Sequence, residues 1–106
     1  MRILGIDTSN YTTSVALAGE DGFRQSRKIL SVGKGECGLR QSNALFLHTV
    51  NLPEMMRELK PMGKIDAVAY SAYPRDVEGS YMPCFLAGKA LAEGIAAING
   101  VLLYPF

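Results

Sequence analysis

The sequence lacks an excess of charge of either sign. Its 106 residues include eleven lysines and arginines and ten aspartates and glutamates, which leaves a formal net charge of +1. A protein that binds nucleic acid on its own usually attracts the polyanion through the summed field of many cations. The balanced charge therefore argues against a stand-alone nucleic-acid-binding protein.

The sequence also has few cysteines and no long hydrophobic run. Cys37 and Cys84 belong to no Cys-x-x-Cys pair, which argues against a zinc knuckle or a redox motif and favours two reduced, structural thiols. Apolar runs are far shorter than the roughly 18 residues of a membrane span, and no signal-peptide segment follows Met1. We therefore expect a cytoplasmic protein with no membrane association.

The residues that are present suffice for one hydrophobic core. Hydrophobic residues make up 48% of the chain and charged residues 20%, and a chain of this length buries one modest core rather than two. We therefore expect residues 1–106 to form a single domain. The last predicted strand runs directly into Pro105-Phe106 with no polar tail, which suggests a fragment of a longer protein.

The first half of the chain predicts an antiparallel meander. Apolar and alternating segments indicate strands over Arg2–Ile6, Thr13–Ala18 and Phe23–Val32, the last two joined by an Asp-Gly turn. The third strand would form an edge of the sheet. Residues Ser31–Ser42 contain three glycines and no apolar period, so they are predicted to form an exposed loop.

The middle of the chain predicts a helix followed by a buried strand. Apolar residues at spacings of three and four indicate a helix over Asn43–Leu59, with Asn43 as its N-cap. Pro53 lies inside this pattern, so the helix should be kinked or divided there. Residues Ile65–Ser71 are apolar on both faces, which is typical of a buried parallel strand.

The last part of the chain predicts a second helix, over Ser80–Asn99, and a final strand over Val101–Tyr104. Ser80 is the predicted cap and Pro83 is placed in the first turn, where its missing N–H does little harm. The resulting order, β-β-β-α-β-α-β, indicates an α/β fold with a mixed sheet, the ribonuclease H-like unit. Two such units form an actin-like ATPase (ASKHA) protein with nucleotide in the cleft between them, so one unit holds half of a site.

The first hairpin is the segment most typical of a ligand site. It combines a buried strand, a carboxylate at the end of that strand and a loop of small polar residues, whose N–H groups and hydroxyls could contact phosphate oxygens while the carboxylate holds hydrated magnesium. The predicted phosphate- or nucleotide-binding residues are Asp7, Thr8, Ser9, Asn10, Thr12 and Thr13. The alternative is an ordinary hairpin in which Asp7 and Thr8 satisfy local backbone groups.

Four segments follow one another along the chain with characteristic spacing: Ile3–Ser9, His48–Met56, Ile65–Pro74 and Leu86–Ala92. In this order they resemble the TsaD/Gcp family, once called O-sialoglycoprotein endopeptidase or glycoprotease. The resemblance implies the first lobe of an enzyme that transfers a threonylcarbamoyl group from its adenylate to an adenosine of tRNA. It also implies an adenine nucleotide and a divalent metal in the full-length parent, and a second lobe after residue 106.

The sequence departs from this family at the hairpin and in a later loop. Tyr11 and Thr12 stand where the family carries acidic residues associated with transfer, so no catalytic residue is assigned. Tyr73-Pro74-Arg75 replaces a Gly-Pro-Gly turn. The family's metal-binding His-x-x-x-His motif is expected beyond Phe106, so no metal ligand is assigned, and the fragment alone is expected to be inactive.

A second hypothesis is a non-catalytic scaffold similar to TsaB, which pairs with TsaD and shares the Ile-Asp-Thr start and the His…Pro helix. In this hypothesis the helices over residues 43–59 and 80–99 bind a TsaB-like partner or a second copy of the chain. Peptidase activity has the least support, because the sequence pairs no nucleophile with a base.

The remaining polar residues are better explained by structure than by catalysis. His48 is the only histidine, and a lone imidazole on an apolar helix face is usually a satisfied core residue. Arg75, Asp76 and Glu78 are more typical of a solvated turn than of a substrate contact. Scattered cations that could contact tRNA phosphates more often keep a surface soluble; they are Lys28, Lys34 and Arg40.

Overall fold

A computed structural model describes residues 1–9, 11–20, 22–30, 41–59, 63–72 and 83–106. The five strands and two helices follow the predicted order, which confirms the α/β class. Their bounds are β1 Ile3–Asp7, β2 Thr12–Gly19, β3 Gly22–Ile29, α1 Gln41–Leu59, β4 Ala67–Tyr70, α2 Phe85–Asn99 and β5 Leu102–Pro105.

The strands form one mixed sheet in the order β3-β2-β1-β4-β5. β1, β2 and β3 are antiparallel neighbours, whereas β4 is parallel to β1 and β5 is parallel to β4. Each parallel connection contains one helix, as a crossover requires. The predicted meander with β3 at the edge, and the predicted parallel crossovers after it, are confirmed.

Both helices pack on the same face of the sheet. The main core joins alternate residues of the three central strands to one side of each helix. On β2, for example, Thr13, Val15 and Leu17 are buried, while the residues between them are partly open. This alternation is the two-residue period of a strand covered on one face. The buried core residues are Leu4, Ile6, Val15, Leu17, Leu52, Met55, Leu59, Val68, Tyr70, Ala87, Ala92 and Ala96.

The other face of the sheet has no described helix over it. The register sets Gly5 between Ala16 on β2 and Ala69 on β4, so small residues form the centre of this open face. Large side chains stand on both flanks: Phe23 and Ile29 on β3, and Leu102, Tyr104 and Phe106 on and after β5. None of the helices in the described part of the chain has the length and apolar character needed to cross a membrane.

Helix α1 begins at Gln41, so the prediction of Asn43 as its N-cap is wrong. Asn43 is an exposed residue within the helix, so its polar side chain remains solvated. The next residue, Ala44, is buried, and its packing favours a helix that already includes Asn43. Pro53 lies inside an undivided helix. Proline removes one helical hydrogen bond, but Leu52 and Met55 on either side of it are buried and hold both halves on the sheet.

Helix α2 begins at Phe85 with Cys84 as its N-cap, and Cys84 makes no side-chain capping bond. The placement of Pro83 in the first helical turn is therefore wrong. The Pro83 carbonyl accepts a hydrogen bond from the Leu86 N–H at 3.0 Å, so this proline forms the turn that leads into the helix. Ser80 lies outside the described residues. The predicted end is confirmed, because Gly100 adopts the left-handed conformation at φ 64° that terminates many helices.

Strand β4 starts at Ala67, two residues later than the pattern predicts. The Asp66 carboxylate accepts a hydrogen bond from the Arg2 N–H at 2.7 Å, while the Asp66 N–H donates to the Arg2 carbonyl at 2.8 Å. The Asp66 side chain thus takes the place of a backbone carbonyl as the acceptor for Arg2, directly before the regular pairing of β1 with β4 begins at Ala67. β3 ends at Ile29, so the predicted continuation is wrong at Leu30, which is described but lies outside the strand; Ser31 and Val32 are outside the described residues.

Candidate functional site

A crevice of about 300 Å³ opens on the uncovered sheet face where β1 and β4 end. Its floor is formed by small residues, and Asp7, Ser14 and Ser71 supply its polar side chains. The carboxyl ends of parallel strands are the usual place for ligands in open α/β sheets. The described residues that line it are Gly5, Ile6, Asp7, Ser14, Ala16, Ala69, Tyr70, Ser71 and Phe106.

Among the predicted site residues that the structure describes, Asp7 alone lines this crevice. It is exposed, and one of its carboxylate oxygens accepts a hydrogen bond from the Ser9 N–H at 2.8 Å. This bond between an aspartate and the amide two residues later is an Asx turn. The carboxylate therefore shapes the start of the hairpin loop and also gives the crevice a negative charge.

Thr8 points away from the crevice. Its side chain is buried, its hydroxyl donates to the Cys84 carbonyl at 2.9 Å, and the same oxygen accepts from the Gly88 N–H at 3.1 Å. Thr8 thus connects the end of β1 to the first turn of α2. Its hydroxyl is engaged inside the protein with backbone groups that are distant in sequence, whereas Asp7 bonds a local amide, as the alternative of an ordinary hairpin predicts.

Thr13 is engaged in the same manner on the other strand of the hairpin. Its hydroxyl oxygen lies 2.7 Å from His48 Nδ1 and accepts a hydrogen bond from the Asn51 side-chain amide at 3.3 Å. All three side chains are buried. His48 is therefore a core residue with a hydrogen-bond partner, as its position in the sequence predicts.

The other predicted hairpin residues are Ser9, Thr12 and Asn10, and the structure describes the first two. Ser9 and Thr12 are half-buried, and Tyr11 is exposed, its carbonyl accepting a hydrogen bond from the Leu30 N–H at 2.7 Å. Asn10 lies outside the described residues. Phosphate binding by this hairpin stays a prediction, and it depends on Asp7, Ser9 and Thr12 rather than on the inward-turned hydroxyls of Thr8 and Thr13.

The thiol of Cys84 lies beneath the hairpin loop. Its sulfur is 3.9 Å from the Ser9 carbonyl oxygen. Burial raises the pKa of the Cys84 thiol above its ordinary value, and the negative charge of Asp7 acts in the same direction. Because the thiolate is the reactive form of cysteine, Cys84 is suited to packing and not to nucleophilic catalysis.

The described residues do not form a metal centre. They contain no group of three or more histidine, cysteine, aspartate or glutamate side chains that could hold an ion together. Asp7 is the one carboxylate among the described residues of the crevice lining, and it is accompanied there by the hydroxyls of Ser14 and Ser71. Protein-bound magnesium commonly uses one or two carboxylates together with substrate phosphates, so Asp7 would hold magnesium only together with a bound phosphate, and the metal expected of the full-length parent stays a prediction.

Several predicted contacts lie outside the described residues. Lys28 is exposed on β3. The other residues considered for substrate or tRNA contact are not described by the structure; they are Lys34, Arg40, Arg75, Asp76 and Glu78.

Ser14 and Ser71 are crevice residues that the sequence analysis did not select. Ser14 alternates with buried Thr13 and Val15, which places it on the open face, where it accepts a hydrogen bond from the Gln25 side chain at 3.4 Å. Ser71 directly follows β4, next to β1 in the sheet. The parallel pairing of β1 and β4 would have indicated that Asp7 and Ser71 end at the same edge.

The mixed sheet, the two described helices on one face and the element order together define the ribonuclease H-like α/β fold. The chain superimposes on YeaZ from Pseudomonas aeruginosa with a TM-score of 0.74 over 99% of its residues, at 19% identity. A second solved structure, of an uncharacterized protein with similarity to peptidase YeaZ from Pseudomonas aeruginosa, gives a TM-score of 0.73 over 99% of the chain, at 18% identity.

These likenesses establish a shared fold. The chain spans 43% and 42% of the lengths of the two matched proteins. No protein-family model matches the chain, and the search of curated proteins found no match in sequence.

Proposed function

We propose that this chain acts as the first lobe of a TsaB-like scaffold, a non-catalytic protein of tRNA threonylcarbamoyladenosine synthesis, and binds its partner through α1 and α2. YeaZ, whose fold the chain shares, is also called TsaB. The proposal therefore favours the scaffold hypothesis over that of a TsaD-like transferase.

The observation that carries this proposal is a set of large apolar side chains on the outer sides of the helices. Phe46 and Val50, one helical turn apart on α1, are 65% and 53% exposed. Residues four apart share one side of a helix, so these two form a single apolar patch. On α2, Leu86 and Ile98 are also exposed. Exposed apolar residues that are contiguous on a surface often mark a site where another protein binds, and we assign that role to the pair Phe46 and Val50.

The hairpin supports a scaffold better than a transferase. Two of the four hydroxyl residues predicted to bind phosphate, Thr8 and Thr13, make hydrogen bonds inside the protein. Tyr11 and Thr12 stand where the TsaD/Gcp family carries acidic residues. The groups that would perform the transfer are therefore absent from the described part of the hairpin or engaged elsewhere.

The interface is tested by sedimentation of the chain alone and mixed with a TsaD-family protein. We expect a dimer or a mixed complex that Phe46→Glu abolishes, because a carboxylate in an apolar interface must be desolvated. Ile29→Glu is the matched control, since Ile29 is 76% exposed but lies on the opposite face of the sheet. A monomer under all conditions, or equal effects of the two variants, would contradict the interface.

The pathway is tested in cells that lack their own TsaB-type scaffold. We expect a well-expressed copy of the full protein to restore threonylcarbamoyladenosine in tRNA, and Phe46→Glu to lose this activity. Failure of the unaltered protein to restore the modification despite good expression would exclude the pathway.

A nucleotide-binding transferase lobe is the second candidate, and the crevice at Asp7 is the observation that favours it. A carboxylate and two hydroxyls meet there at the carboxyl ends of β1 and β4, where nucleotides and phosphates often bind. Titration calorimetry with ADP and magnesium tests it, with Asp7→Asn and Ser71→Ala as variants. Absence of binding by the unaltered protein, together with no rescue of cells lacking the transferase, would exclude this candidate.

A further inference from the structure

The buried polar side chains of the described residues are concentrated around one hairpin. They are Thr8, Thr13, His48 and Asn51. Burying a hydroxyl, imidazole or amide costs free energy unless it is hydrogen-bonded, and the described chain leaves no such buried side-chain atom without a partner. Two separate groups of hydrogen bonds satisfy these side chains. One is centred on Thr8, directly after β1, and the other on Thr13 of β2, which contacts both His48 and Asn51.

The first group joins a threonine side chain to the first turn of a helix. In a regular α-helix the Cys84 carbonyl would accept from the Gly88 N–H, four residues later. The Thr8 hydroxyl lies within hydrogen-bond distance of both groups, donating to the carbonyl and accepting from the amide. The end of β1 is thereby fixed to the first turn of α2 through two bonds to one oxygen atom.

The approach of these two elements depends on Gly88. A Cβ atom at this position would lie 3.0 Å from the Thr8 hydroxyl oxygen and 3.3 Å from Cγ2 of Ile6. Both distances are tighter than most contacts made by a real Cβ. By contrast, a Cβ at Gly94 on the same helix would meet no atom within 4 Å. The small residue at 88 is therefore required by this contact and not by the helix itself.

The second group fixes the other strand of the hairpin to the other helix. Thr13 contacts His48 and Asn51, which lie three residues apart on α1 and therefore on one side of it. The hairpin is thus hydrogen-bonded to a different helix on each side of its turn. Thr8, the residue after β1, bonds to α2, and Thr13, the second residue of β2, bonds to α1.

We infer that Thr8 and Thr13 are positioning residues, which fix the turn between β1 and β2 to α2 and α1 so that its conformation follows the positions of the two helices. The turn carries Ser9 and Tyr11 and is shaped by the Asp7 carboxylate at the edge of the crevice. A displacement of α1 or α2 would then alter the turn at the edge of the crevice through the hydroxyl groups of Thr8 and Thr13. Such a connection between two surfaces acts in both directions.

Thr8→Val is the most informative variant, because it removes the hydroxyl and keeps the shape. Cys84 is the N-cap of α2, so its carbonyl and the Gly88 N–H form the first helical pair without help from the hydroxyl, and the protein should remain folded. Thr13→Val would instead leave His48 and Asn51 without this shared partner and risks unfolding. Thr8→Ser is the matched control, since it keeps the hydroxyl.

Amide hydrogen exchange of the folded chain provides the readout. In Thr8→Val we expect exchange at Ser9, Tyr11 and Thr12 to accelerate by about tenfold, while the central strand residues Val15 and Val68 keep their protection. Thr8→Ser should resemble the unaltered protein. An equal change at all amides would indicate a merely structural threonine and overturn the inference, as would unchanged exchange at the turn.

Changes on the helix side test the connection in the other direction. Gly88→Ala should accelerate exchange at the same turn residues, because the added methyl displaces Thr8 from α2, whereas Gly94→Ala should leave the turn unchanged. If Gly88→Ala alters only the amides of α2, the turn does not follow the helix and the inference fails.

A ligand measurement extends the inference to the crevice, and this step rests on the proposed nucleotide site. There we expect magnesium ADP to bind several-fold more weakly to Thr8→Val than to Thr8→Ser. If the unaltered chain binds no ADP, the nucleotide candidate fails while the exchange measurements still decide the role of Thr8. If ADP binds all three proteins equally, the turn is not part of the site and this extension is wrong.

Discussion

The two faces of the sheet place their small polar residues in different environments. On the covered face, Thr8 and Thr13 are buried and hydrogen-bonded to the helices. On the open face, Asp7, Ser14 and Ser71 line a crevice. The same residue types therefore fix elements together on one face and remain available for a ligand on the other.

The comparison shows that residue type alone does not identify a ligand site in a hairpin. Successive residues of a strand point to opposite faces, so neighbours such as Thr13 and Ser14 have different environments. The following variants test this difference between the faces, beginning with the largest expected effect.

Truncation of a core residue should give the largest difference in unfolding free energy between the two faces. Met55, on α1, is among the largest fully buried side chains, and Met55→Ala should lower the free energy of unfolding by about 2–5 kcal/mol. Ile29→Ala on the open face should change it by less than about 0.5 kcal/mol. Urea denaturation measures both. Similar values for the two variants would mean that the open face is covered in solution.

Two adjacent residues of β2 allow a more stringent comparison. Thr13→Ala should cost about 1–3 kcal/mol, because it leaves buried groups of His48 and Asn51 without their shared partner. Ser14→Ala removes a hydroxyl from the open face and should cost less than about 0.5 kcal/mol. Thermal or urea unfolding of both variants provides the measurement, and a larger loss for Ser14→Ala would reverse the assignment of the two faces.

The two glycines of α2 should respond to alanine with opposite signs. Gly94 has open space around it, so Gly94→Ala should stabilise the protein by about 0.5–1 kcal/mol through helix propensity. Gly88→Ala gains the same propensity but forces a methyl against Thr8 and Ile6, and it should be destabilising by about 1 kcal/mol. Chemical denaturation decides this, and stabilisation by both substitutions would show that α2 is not tightly packed on β1.

The buried thiol should add a small dependence on alkaline pH. Because burial raises the pKa of Cys84 above its ordinary 9.0, the folded state retains this proton above that pH while the unfolded state releases it. The unfolding free energy should therefore fall by at most about 1.4 kcal/mol per pH unit above pH 9.0, up to the raised pKa of the folded thiol. Cys84→Ala should remove this component from the pH profile, and identical profiles would contradict it.

The fold was predictable because its signals are local. Alternation over β2, the turn at Gly22 and the small residues of α2 each indicate one element, and the order of elements restricts the topology. The ends of the helices were not predictable to the residue. Asn43 has the chemistry of an N-cap, but whether α1 starts there depends on tertiary packing of the residues around it.

The site was only partly predictable, because hydrogen-bond partners come from distant parts of the chain. Asp7 at the end of a buried strand indicated the edge at which the crevice opens. The inward orientation of Thr13 could have been predicted from its alternation with Val15 and Leu17. That Thr8 bonds to Cys84 and Gly88, 76 and 80 residues away, follows only from the packing of α2 on β1.

The charged edge strand has a consequence for how the protein behaves at high concentration. Arg24, Arg27 and Lys28 are three of the eight residues of β3, and all three are exposed at an edge of the sheet. A second copy adding its own β3 to this edge would bring like charges together, which opposes the growth of fibrils. At the other edge, β5 is only four residues long and includes Pro105, which cannot donate a backbone hydrogen bond. Both edges therefore disfavour continuous sheet growth between molecules, even though one face of the sheet is apolar and open.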